Sequence, residues 1–248
     1  MIGSCRPTRP FRAILVMLAV ASTGCQLRMA VDVDVNRDGG GELSVTLTAD
    51  EELQARAAQA GADPLAALVE TASALGEGWS VRQAESDNGD SSVTLTSAFA
   101  DPQAFSALTE DLAEALGAQE ADLLEPLDLT VAEEEITVEG AAAVKPTTAV
   151  SDYGLTPGKA VRLLRRSDAF EYRVAVTLPG EVLSAEGGQT QGRTVTWTVE
   201  PGERVEFQAS GVRPGPPWIR ALLGAAGGGL VAGAILLLVT RRRRRTAA

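Results

Sequence analysis

Few side chains in this chain of 248 residues are able to do chemistry. It contains no histidine, and its two cysteines, Cys5 and Cys25, lie close to the N-terminus. Beyond Cys25 there is no imidazole or thiol to act as general base, nucleophile or zinc ligand. Carboxylates are plentiful, but Glu133-Glu134-Glu135 reads as a solvated turn. Ser–Lys chemistry would need Lys145 or Lys159, and neither sits in a recognisable motif. Asp34-Val35-Asn36-Arg37-Asp38-Gly39 follows the first half of a calcium loop, with oxygens at alternate positions and Gly for the turn. The twelfth position is Val45 rather than Glu, and the flanks read as strands, so the segment is expected to be a hairpin with an acidic solvent face. The sequence therefore predicts a protein that is not an enzyme, with no catalytic residues, no metal and no cofactor.

Two reactive features remain. Ser22-Thr23-Gly24-Cys25 resembles a bacterial lipobox, in which the Cys thiol takes a diacylglyceryl group and Cys25 becomes the first mature residue. Ser22 stands where that motif usually has Leu, and ordinary cleavage nearby is the alternative. Cys25 is the predicted lipid-attachment site. Arg162, Arg165 and Arg166 form the densest positive group of an acidic region. They are the candidate ligand-binding residues, suited to a phosphate or an anionic headgroup. Ion pairing with the abundant carboxylates is the other reading.

The segments that must position these residues divide the chain into five. Residues 1–24 have a basic start at Arg6, Arg9 and Arg12, then an apolar run from Ala13 to Ala21, the layout of a lipoprotein signal peptide. Residues 25–211 form the extracytoplasmic domain, and 212–217 a Pro/Gly-rich stem. Residues 218–240 are an apolar run carrying Arg220 near its start; as a helix it would reach about 34 Å, enough to cross a bilayer. Residues 241–248 are a basic tail whose Arg241–Arg245 are expected to stay in the cytoplasm. The expected location is the cytoplasmic membrane, crossed once, with the domain outside. Gly229 and Gly233 could pair this segment with a second helix. Between Gln26 and Pro217 lie all 33 acidic and 13 of the 22 basic residues, a net charge of −20. Such a surface disfavours nucleic acid and anionic headgroups, so a lipid is expected to enter a pocket.

Within the domain, Leu27, Met29, Val31, Val33 and Val35 alternate with mostly polar residues, then Asp38-Gly39-Gly40-Gly41 turns into Leu43, Val45 and Leu47, a β-hairpin. Asp50 to Ala60 and a segment capped by Asp63-Pro64 read as helices. A second hairpin turns at Asn88-Gly89, Asp101-Pro102 opens a helix ended by Gly117, and Leu127 to Val138 reads as a third hairpin. A short helix is expected from Lys159 to Arg166, followed by alternation at Phe170–Leu178, Val195–Val199 and Val205–Ala209. The predicted fold is α+β: an antiparallel sheet of hairpins with helices on one face, plus the C-terminal membrane helix. Val33, Val45, Val174 and Trp197 are expected to face the interior.

Cys25, the hairpin directly after it, Leu178-Pro179-Gly180-Glu181-Val182, Gly192-Arg193-Thr194-Val195-Thr196-Trp197 and the terminal apolar run with its arginine tail resemble together the actinobacterial LppM-like envelope lipoproteins. The resemblance covers most of the domain and both anchors. It implies an α+β domain tied to the membrane, binding envelope lipids or glycolipids, and it carries no catalytic motif. The leading expectation is a non-catalytic module holding an amphiphile between sheet and helices. The alternative is a structural protein that docks envelope proteins or pairs through its membrane helix.

Overall fold

The computed structural model describes residues 25–59, 61–76, 78–117, 123–145 and 156–215. The signal segment, the 218–240 run with Gly229 and Gly233, and the 241–248 tail lie outside these. Among the described residues, no helix is long and apolar enough to cross a membrane.

The element order is β1 (Leu27–Val35), β2 (Gly41–Ala49), α1 (Glu51–Gln59), α2 (Ala66–Leu75), β3 (Ser80–Glu85), β4 (Ser91–Phe99), α3 (Pro102–Gly117), β5 (Asp128–Val131), β6 (Glu135–Ala143), α4 (Pro157–Ser167), β7 (Phe170–Thr177), β8 (Val182–Glu186), β9 (Gln189–Gln191), β10 (Thr194–Thr198) and β11 (Arg204–Val212). The first three hairpins form where turn residues interrupt the alternation. Gly39 and Gly89 both adopt positive φ, 87° and 85°, in turns closed alike: Asn36 N–H donates to Gly40 O, and Ser86 N–H to Asp90 O.

The strands make two sheets. One has seven strands in the order β3-β4-β2-β1-β7-β10-β9; the other has four, β5-β6-β11-β8. The expectation of one antiparallel sheet is corrected in two respects. First, β7 runs parallel to β1, with Val31 beside Val174. Turn chemistry fixes only the pairing of successive strands; β7 arrives through α4 and takes the edge of β1 that β2 leaves free. Second, β8 does not return along β7 after Pro179-Gly180 but pairs with β11 in the small sheet.

Odd-numbered residues of β1, β2 and β4 point to one face, and that face is the core. Val33, Val45, Val174 and Trp197 are buried there as expected. The helices and the small sheet cover this face: α2 lies against β3 and β4, α3 against β4 and β5, and α4 against β7. Trp197 meets Phe207 across the sheets at 5.1 Å, and its indole N–H donates to Glu186 O at 2.7 Å. Thr109 on α3 has its hydroxyl between Leu127 N–H and Leu127 O, at 3.1 and 3.2 Å, tying the helix to the small sheet's edge. The opposite face of the large sheet carries half-exposed Thr46, Thr48, Thr94 and Thr96.

Candidate functional site

The foot of the large sheet, where β1 and β7 begin and β2 ends, gathers the functional candidates. Asp50 caps α1 by accepting from Leu53 N–H at 2.7 Å, and it also accepts from the backbone N–H of Gln26. Gln54, one turn on, donates to Ala49 O at 2.9 Å and Gly89 O at 3.1 Å and accepts from the Ser91 hydroxyl at 2.7 Å. It fastens α1 to the second hairpin's turn. Arg28 completes the tie with a hydrogen-bonded ion pair to Asp90 at 2.6 Å.

Beside this fastening lies a cleft of about 590 Å³. One wall comes from α1 and α2 with the turn before α2: Ala58, Leu65 and Val69. The other is β-sheet: Gln83, Glu85 and Val93. Gln83 pairs with Val93 and Glu85 with Ser91, so both side chains lie on the sheet's inner face. All of β3 is exposed, Val81 at 46%. α2 reaches this strand but leaves its side chains exposed, and a half-apolar trough remains between them. Its lining mixes polar groups, Gln54, Asp63, Gln83, Glu85 and Ser91, with apolar Leu65, Val69 and Val93. The arrangement suits a ligand with one greasy and one polar part.

A second cleft, about 330 Å³, opens on the other side of the foot. It is lined by Arg28, Leu164, Arg165, Phe170, Tyr172 and Pro201, among others. Here the structure places the arginine candidates. Arg165 donates from Nε to Pro201 O at 2.7 Å and stands 3.7 Å from the Glu200 carboxylate, so ion pairing accounts for it in part. Arg162 and Arg166 are exposed on α4 and line neither cleft. The three arginines therefore do not converge on one point. Deep in this wall, burial pushes the Tyr172 phenol far above its ordinary value, and its hydroxyl donates to Leu123 O at 3.0 Å.

Cys25 lies two residues before the start of β1, with its side chain shielded from solvent. Burial is the main influence raising its thiol pKa; Arg56 opposes this, while Glu52 and Asp50 add to it. The Asp34–Gly39 segment forms the hairpin turn at the opposite end of β1, and no group of three or more metal-ligating side chains occurs among the described residues.

The trough was not read from the sequence, although a signal for it exists. Val81, Gln83 and Glu85 occupy alternate positions that should be apolar if β3 were covered, and two of the three are polar.

Fold and site together define an α+β module of two sheets whose clefts lie at one end, next to a cysteine in a lipobox-like setting. The LppM-domain model matches residues 28–212, and the chain belongs to that family. The family is one of envelope lipoprotein-like proteins. Among solved structures, the NMR structure of the folded domain of Mycobacterium tuberculosis LppM matches with 13% identity and a TM-score of 0.47, over 80% of this chain and 96% of that one. An M1 zinc metallopeptidase from Deinococcus radiodurans matches at 13% identity and a TM-score of 0.22, over 77% of this chain and 43% of the peptidase. No curated protein matches the chain in sequence.

Proposed function

We propose that this protein is a membrane-anchored, extracytoplasmic and non-catalytic module that binds an envelope lipid or glycolipid in the trough between α1–α2 and the β3–β4 hairpin. The observation that carries this reading is the trough itself. Its volume, about 590 Å³, falls in the range of small-molecule sites, and it lies between sheet and helices with both polar and apolar groups in its lining. Acylation of Cys25 would hold the foot of the domain near the bilayer from which such a ligand comes, and the apolar run at 218–240 would keep the chain in the membrane.

Titration with short-chain anionic and neutral glycolipids tests this, read by the fluorescence of Trp79, half-buried in the loop between α2 and β3. Saturable binding that is lost in Gln83→Trp supports the trough. A second reading rests on β3, an exposed edge strand whose free backbone groups suit strand addition by another envelope protein. Absence of saturable binding to every glycolipid would favour that docking role.

A further inference from the structure

α4 is the one described helix whose charged residues are all positive. It carries Lys159, Arg162, Arg165 and Arg166 within a domain of net charge −20. Only Ala160 and Leu164, one turn apart, are buried. Lys159, Arg162 and Arg166 are exposed and form no ion pair among the described residues, and Leu163 between them is 37% exposed. The carboxylates of Asp168, Glu171 and Glu200 line the cleft beside Arg165, Glu200 at 3.7 Å from it. Lys159, Arg162 and Arg166 combine exposed cations with an exposed leucine.

Its position gives the patch a partner. The chain leaves α4 at Ser167, and Ala169 O accepts from Leu27 N–H at 2.9 Å. The last turn of the helix thus lies two residues' reach from Cys25, at the end of the domain where the lipid would be attached. The opposite end of β1 is about 27 Å away for a strand of nine residues. That is several Debye lengths of about 8 Å, so acidic groups at that end exert little force on an anion at the foot, where Asp50, Glu85 and Asp90 stand on the α1 side and Asp90 is paired with Arg28.

We infer that α4 is a membrane-docking helix, laying Lys159, Arg162 and Arg166 on the anionic headgroups and Leu163 at the boundary of the acyl region. This rests on the reading that the protein is held at the membrane, and it replaces the sequence-based expectation that net charge keeps the domain off an anionic surface. The occupant is the bilayer surface itself rather than a single lipid in a cleft. Each removed cation near such a surface weakens the association about fivefold.

The test uses the full chain in nanodiscs of purely zwitterionic lipid or of the same lipid with phosphatidylglycerol, followed by hydrogen exchange. Backbone amides of 157–167 are expected to exchange more slowly in the anionic discs, while those of β3 exchange equally in both. Arg162→Gln with Arg166→Gln should abolish the difference; it leaves Arg165 and its bond to Pro201 in place, so the fold is retained. Leu163→Ser should reduce the difference without touching charge. Equal exchange of 157–167 in the two discs, or a difference that survives the double substitution, overturns the inference and leaves anchoring intact. Failure of the chain to enter either disc refutes the anchoring and this inference with it.

Discussion

The inner face of the large sheet is finished differently at its two sides. At β7 and β10 the small sheet closes over it, and Trp197, Tyr172 and Phe207 fill the space with their polar atoms bonded to backbone carbonyls where they have any. At β3 the same face is left open, its inward positions include Gln83 and Glu85, and a trough remains between them and α1 and α2. The two sides share one sheet and one pattern of alternation. The closed side holds the fold together; the open side gives up burial, and with it stability, for a surface that a ligand can reach.

Substitutions should separate the two sides by their cost. Trp197→Ala removes the largest fully buried side chain, its contact with Phe207 and its bond to Glu186 O. A loss of about 3–5 kcal/mol is expected in denaturant unfolding. Thr109→Val keeps the shape but leaves Leu127 N–H and C=O without their partner, for an expected loss of about 1–3 kcal/mol by the same measurement. If either cost less than a surface substitution does, the closed side would not be the stabilising one.

On the open side, Gln83→Trp should change stability by no more than about 0.5 kcal/mol, since the position is exposed, while filling the trough and abolishing glycolipid binding. A large loss of stability there would erase the distinction between the sides.

The smallest effect is expected from the Glu125–Arg204 pair. A bidentate hydrogen bond from Arg204, at 2.7 and 2.8 Å, holds the Glu125 carboxyl below its ordinary pKa, against the opposing influence of burial. A carboxylate with a depressed folded pKa stabilises fully above its unfolded pKa and loses that contribution as pH falls through the folded one. Both partners are well exposed to solvent, so the acid-side fall in Tm should be only slightly shallower in Glu125→Gln than in the unsubstituted protein.

Hairpins, caps and core positions were legible in the sequence because they are local. Asp38-Gly39 and Asn88-Gly89 fix turns, Asp101 caps α3 at Ala104 N–H, and alternation from Leu27 to Val35 fixes an inner face. Long-range choices were not. Nothing in Phe170–Thr177 states that its neighbour is β1 or that they run parallel, and nothing in Val182–Glu186 states that it leaves for a second sheet. The helix from Asp63-Pro64 starts later than expected, at Ala66, because Asp63 spends its carboxylate on Leu65 N–H in the turn before it. The arginines were recognised as a group, but a helix spreads residues 162, 165 and 166 over its surface, and of the three only Arg165 lines either described cleft.

Native mass spectrometry of the full-length protein, released gently from its own membrane, tests the central claim most directly. The account predicts one amphiphile bound per chain, in addition to any mass carried covalently on Cys25, and its disappearance in Gln83→Trp. A mass equal to the polypeptide with its Cys25 modification alone, identical in the two proteins, would contradict it.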